Sequence, residues 1–151
     1  LNQNINSDIV YSLIKINLKT SNSTGSLYVQ GGTEVSDNLY FKSAMFKSNK
    51  SLAEYVFSEL KKLNFNPESP IDSDYMFSIA MNIDGVMVDV YLGKNDEESE
   101  TPLWQIWPEQ RISFFKKFFG KVNKSPELKA RQVIENIAKN IEGVTDVAWD
   151  I

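Results

Sequence analysis

The sequence predicts an α+β domain: a mainly antiparallel sheet with about three helices packed on it, in the rough order β-β-α-β-β-β-α-α-β. Three observations carry this. Tyr75 to Trp107 contains two runs of apolar residues alternating with period two on either side of Asn82-Ile83-Asp84-Gly85, the pattern of a hairpin with one buried face. Ser51 to Leu63 and the stretch from Ser125 to Ile141 instead space their apolar residues as one face of a helix. No repeat, low-complexity tract or linker interrupts the 151 residues, so 1–151 reads as a single domain with 1–7 as a loose polar lead-in.

Ile9 to Leu18 is β-branched and apolar on both faces, which predicts a strand covered on both sides. The turn cluster Thr20 to Gly25 lets Ser26 to Val29 return as its hairpin partner. Gly31-Gly32 breaks the pattern. The apolar islands Leu39 to Phe41 and Ala44 to Phe46 then read as a short edge strand or a packed loop.

Ser51-Leu52-Ala53-Glu54 matches a capping box, and Leu52, Val56, Leu60 and Leu63 follow at helical spacing with Tyr55 beside them. Each such side chain stabilises by about 1.5–3 kcal/mol when buried, more than a cap contributes, so the stripe fixes this helix against a sheet. Asn64 to Ser73, with two prolines, reads as the loop that ends it.

In the central meander Tyr75, Phe77, Ile79 and Met81 alternate with Met76, Ser78 and Ala80. After the turn, Val86, Val88, Val90 and Leu92 share one face while Met87, Asp89 and Tyr91 share the other. An acidic loop, Gly93 to Thr101, leads to a third strand from Leu103 to Trp107. Pro108 to Phe119 reads as a short helix along Ile112, Phe115, Phe118 and Phe119, stopped at Gly120. Ser125-Pro126-Glu127 opens the last helix with Ser125 as N-cap, and its apolar face holds Leu128, Val133, Ile134, Ile137 and Ile141. Gly143 ends it, and Val144 to Trp149 is a closing strand.

Composition excludes several kinds of chemistry. Apolar residues at 42% and charged residues at 24% place the chain with globular proteins rather than disordered ones. There is no cysteine, so disulfides, thiolate nucleophiles and thiolate metal sites are out. There is no histidine, which removes the commonest general base and transition-metal ligand. The expectation is a protein that is not an enzyme, with no cofactor and no metal. A net charge of −4 disfavours nucleic acid and anionic membrane as partners. No apolar run reaches the ~20 residues of a membrane helix, and LNQNINSD lacks the apolar core of a signal peptide, so no targeting segment is read from it.

The charge is unevenly placed. Residues 1–64 hold seven Lys/Arg against five Asp/Glu, residues 65–110 one against ten, and residues 111–151 eight against five, giving +2, −9 and +3. The meander is thus an acidic block in an otherwise mildly basic chain. Asp96, Glu97, Glu98 and Glu100 crowd its loop, with Tyr91, Trp104 and Trp107 nearby in sequence. Carboxylates around aromatic anchors suit recognition of a protein: charge speeds encounter and buried aromatics carry affinity. The competing reading is a solvated hairpin loop beside core tryptophans.

Other constellations are weaker. NDEESE lacks the central glycine and alternate ligand spacing of an EF-hand loop. Asp84 reads as a turn residue and Asp89 as the polar member of an alternating strand rather than as a carboxylate pair. Gly93-Lys94 lacks the rest of a phosphate loop. Arg111, Lys116, Lys117, Lys121 and Lys124, interleaved with phenylalanines, read either as a nucleic-acid or membrane surface or, because the phenylalanines fall at helical spacing, as the solvated face of a core helix or an ion-pair partner for the acidic block; the second group of readings is favoured.

The stretch GVMVDVYLGKNDEESETPLWQIW, the Phe/Lys-rich segment after it and the ending IEGVTDVAWDI resemble the small acidic immunity proteins of bacterial polymorphic toxin systems, including contact-dependent growth inhibition. The likeness covers much of 75–151 and is one of size, acidity and layout, without a diagnostic motif. It implies a cytosolic, non-enzymatic inhibitor of one toxin domain, often a basic nuclease. The charge partition rather than the likeness places the contact, with Asp96, Glu97, Glu98 and Glu100 steering the partner and Tyr91 and Trp104 as anchors. Two alternatives stand beside it: a structural or adaptor domain of a phage, plasmid or secretion-system assembly, and a metal-dependent enzyme built on Asp84 or Asp89.

Overall fold

The computed structural model describes residues 38–113, 120 and 122–149, and the account below concerns these. The strands expected at 9–18 and 26–29 lie outside them. Six strands and two helices follow in the order β-α-β-β-β-β-α-β: β1 Leu39–Lys42, α1 Asn49–Lys62, β2 Ile71–Ser73, β3 Met76–Ile83, β4 Val86–Lys94, β5 Leu103–Gln110, α2 Ser125–Lys139 and β6 Thr145–Trp149. All strands belong to one antiparallel sheet in the spatial order β2-β3-β4-β5-β1-β6.

The α+β class holds, but the element count and order do not. The expected third helix fails at its start, because Pro108, Glu109 and Gln110 extend β5; residues 114–119 lie outside the described ones. Proline suits the first turn of a helix, which is the expectation at Pro108, yet in this ladder it does no harm. The bonds Asn95 N–H to Leu103 C=O and Arg111 N–H to Met87 C=O set the phase, so Pro108 opposite Val90 falls at a position that needs no donor toward β4.

Leu39 to Phe41 is no edge strand: β1 lies between β5 and β6, with Leu39 opposite both Ile106 and Trp149. Residues 71–73, expected as loop, add a short strand, β2, and Tyr75 sits in the two-residue turn between Ser73 and Met76 rather than in a strand.

The helix starts also move. The N-cap of α1 is Ser48, whose hydroxyl accepts from Ser51 N–H while Ser51 Oγ accepts from Ser48 N–H. The capping box therefore lies one turn earlier than Ser51–Glu54, and Glu54 pairs weakly with Lys50 instead. At the far end Asn64 takes a left-handed φ of 64°, with Asn64 N–H bonded to Lys61 C=O and Phe65 N–H to Leu60 C=O, a Schellman closure with asparagine in the usual glycine place. For α2 the N-cap is Lys124, not Ser125, and Leu128 is 56% exposed rather than part of the apolar face.

The core lies between the helices and one face of the sheet. Leu52, Ala53, Val56 and Leu60 of α1 and Ala130, Val133, Ile134 and Ile137 of α2 meet Ile79, Met81, Val88, Val90, Leu92, Trp104, Ile106, Leu39 and Phe41. Alternation along each strand puts Ser78, Asp89, Tyr91, Gln105 and Trp107 on the opposite face. The β3–β4 hairpin closes through Asp84 (φ 53°) and Gly85 (φ 81°), both left-handed as a two-residue turn of this twist requires.

β6 pairs with β1 and is further held by side-chain contacts to α2. Trp149 Nε1–H donates to Glu135 Oε2 at 3.0 Å, Lys139 pairs with the other oxygen, and the Arg131 guanidinium lies 4.1 Å from the Trp149 ring centroid. Burial alone would raise the Glu135 pKa, but the hydrogen bonds from Lys139 and Trp149 and the nearby Lys139 and Arg131 charges hold it below the ordinary value. A group with a depressed folded pKa stabilises above its unfolded pKa and loses that contribution as pH falls. The stability difference between wild type and Glu135→Gln is thus expected to be largest at neutral pH and to shrink as pH drops below about 4.3 in denaturant titrations. A difference independent of pH would contradict this account.

Candidate functional site

The acidic loop emerges where β4 ends and β5 begins, and its two roots are firmly held. At the first, Lys94 pairs with Trp104 and Asn95 N–H bonds Leu103 C=O at 2.9 Å. At the second, Ser43 N–H bonds Pro102 C=O at 3.1 Å, joining the end of β1 to the end of the loop. Between them Asp96, Glu97, Glu98 and Glu100 are all exposed. The chain stays ordered by local bonds only: Asn95 Oδ1 accepts from Glu97 N–H, and Ser99 Oγ donates to Thr101 C=O.

Outside the loop, Glu68, Asp72, Asp74, Glu109 and Glu142 form no ion pair with a described residue, and the remaining carboxylates are engaged. Asp89 takes a two-pronged bond from Arg111 at 2.6 and 2.7 Å, Asp84 pairs with Lys129, Glu127 with Lys124, Glu59 with Lys62, and Asp146 with Lys42. Asp96, Glu97, Glu98 and Glu100 form no ion pair with any described residue. The Arg111–Asp89 contact shows one member of the basic stretch pairing with the acidic block inside the molecule, and it holds the Arg111 pKa above its ordinary value. Lys116, Lys117 and Lys121 lie outside the described residues.

The aromatic residues separate. Tyr91 and Trp107 face each other across β4 and β5 and stack with ring centroids 5.4 Å apart. Burial first, and then the Asp89 and Glu109 carboxylates, push the Tyr91 phenol above its ordinary pKa, so at neutral pH it is a neutral hydrogen-bonding ring and not a phenolate nucleophile. Trp104 goes the other way. It points into the core, 1% exposed, edge-on to Phe46 at 5.7 Å, with Nε1–H donating to Ser43 C=O at 2.9 Å. Strand alternation explains the split, because Trp104 shares its face with Ile106 while Trp107 falls on the other. The surface-side partner of Tyr91 is Trp107.

Asp84 and Asp89 do not join the loop. Asp84 sits in the turn at the far end of the β3–β4 hairpin, beyond the roughly 26 Å that β4 spans from Val86 to Lys94 at ~3.3 Å per residue. Among the described residues, no three acidic side chains converge in a way that could hold a metal ion. No described helix is long and apolar enough to cross a membrane.

The sequence reading missed Asn49. From the first residue of α1, its amide donates to Tyr75 C=O at 2.8 Å and its Oδ1 accepts from Lys94 N–H at 2.8 Å. One side chain thus joins the helix start, the β2–β3 turn and the root of the acidic loop. Nothing local marks it, since both partners are distant in sequence. Asn49→Ala is expected to cost about 1–2 kcal/mol, two neutral hydrogen bonds, and to speed amide exchange at Lys94. Asn49→Asp keeps the acceptor and should preserve Lys94 protection while still losing stability. Unchanged exchange in Asn49→Ala would remove Asn49 from any role in holding the loop.

No known protein family, curated protein or solved structure matches this chain.

Proposed function

We propose that this protein is a non-enzymatic, stoichiometric inhibitor of the immunity-protein kind, which binds a cognate bacterial toxin domain with a basic surface, such as a nuclease, through its acidic loop. One observation supports this most directly. Four exposed carboxylates form no ion pair with a described residue and stand on a short loop whose roots are pinned on both sides, while the helix carboxylates Glu54, Glu59, Glu127 and Glu135 are all ion-paired. Such an arrangement concentrates negative potential where it can act on another molecule, without spending it on the fold. The Tyr91–Trp107 pair on the helix-free face of the described sheet supplies aromatic area about 10 Å along the strands from the loop root.

Affinity capture with immobilised wild type and with a form carrying lysine at 96, 97, 98 and 100 tests the proposal. The expected result is a single basic protein retained by the wild type and lost by the reversed form, whose activity the wild type blocks at equimolar ratio. Retention by both forms, or a captured protein whose activity is untouched, would sink it.

A further inference from the structure

We propose that the end of the sheet bearing the acidic loop docks a basic segment of the partner protein between two apolar anchors, Tyr75 on one side of the loop and Met45 on the other. This rests on the reading of the loop as a contact surface and adds to it the anchors and the pattern the partner must carry.

Large apolar side chains that stay exposed are few among the described residues: Met45, Ile71, Tyr75 and Leu128. Two of the four flank the same loop. Tyr75, 75% exposed, occupies the β2–β3 turn beside Asp74, and Asn49 bonds both its carbonyl and the Lys94 amide, so the ring stands at the first root. The approach is close, because a side chain added at Gly93 would meet Tyr75 O at 3.3 Å. Met45, 48% exposed, stands at the second root: its N–H bonds Ser43 Oγ at 3.1 Å, and Ser43 N–H bonds Pro102 C=O. The backbone at both residues is hydrogen-bonded in place, so contact must order the two side chains and not the chain that carries them.

The strand order β3-β4-β5-β1 sets the spacing of the anchors. Three steps of ~4.8 Å separate the β3 side from the β1 side by about 14 Å, the reach of roughly four to five extended residues. Between the anchors lie Asp96, Glu97, Glu98 and Glu100, with Lys94 the one cation in the loop. The surface therefore reads apolar, acidic, apolar. Its complement is a segment with an apolar residue at each end and a run of about four cationic residues between them. A hard cation is a poorer occupant, since the carboxylates do not converge.

Blocked-end peptides Leu-Arg-Arg-Arg-Arg-Leu and Ser-Arg-Arg-Arg-Arg-Ser, titrated into the full chain and followed by amide shifts, test this. Wild type is expected to bind the leucine-ended peptide roughly tenfold or more tighter than the serine-ended one. In the Tyr75→Ser, Met45→Ser double variant that advantage disappears while binding of the serine-ended peptide is unchanged. Equal affinity of wild type for the two peptides, or an advantage that survives the double substitution, overturns the anchors and leaves the loop reading standing. The loop reading fails separately if reversing all four carboxylates to lysine leaves both peptides bound as before. Self-association of the chain alone that is abolished by Tyr75→Ser would assign this end to a second copy and also overturn the proposal. Both anchors are exposed, so thermal unfolding of the double variant should match wild type.

Discussion

Changing Asp96, Glu97, Glu98 and Glu100 together to lysine is expected to slow association with a basic partner by roughly 10- to 1000-fold at low salt, with a smaller effect on dissociation. The swap removes four negative charges and adds four positive ones, taking the chain from −4 to +4. None of the four forms an ion pair with a described residue, so thermal stability should hardly move. Because the loop is exposed, its field acts across solvent and is screened beyond about 10 Å at 0.1 M salt. Association of the wild type should therefore fall steeply with ionic strength, and that of the reversed form should be flat or rise. Stopped-flow association over a salt series measures both slopes. Equal slopes would show that the loop takes no part in encounter.

Replacing Trp104 with alanine is expected to destabilise the protein by about 3–5 kcal/mol, a large share of the roughly 5–15 kcal/mol available to a domain of this size. The ring is buried against Phe46 and shares its sheet face with Ile106 and, on β1, Phe41. Its loss would leave a cavity at the junction of β5, β1 and the segment leading into α1. Trp104→Phe keeps most of the volume but leaves Ser43 C=O without its donor, at about 1–3 kcal/mol. Urea unfolding reads both. If Trp104 were instead a contact residue, Trp104→Ala would leave the urea midpoint in place and change only partner affinity.

These two expectations mark the line between what could be read from the residues and what could not. Period-two alternation placed β3 and β4, and Asp84-Gly85 their turn, because a pleated strand with one dry face leaves that trace in any sequence. The α1 stripe of Leu52, Val56 and Leu60 was equally legible, although the cap moved back to Ser48 since a serine at either place satisfies the local rule. Pro108 misled for the same reason: proline opens helices, and only the ladder with β4 shows that its missing donor is harmless here.

The acidity of the loop is likewise local and was visible. Its lack of ion pairs was not, because Arg111 finds Asp89 and Lys129 finds Asp84 only once the strands are side by side. Trp104 and Trp107 are equivalent in composition, and strand parity sends one to the core and the other to the opposite face. Asn49 and Tyr75 acquire their place at the loop root through contacts spanning 26 and 45 residues of chain. The sequence by itself determined the α+β class, the central hairpin and the acidic block, all properties of short windows governed by side-chain period and charge. Tertiary structure alone decided which strands are internal, which tryptophan is buried and which carboxylates stay unpaired, because those depend on register between segments that no local pattern encodes.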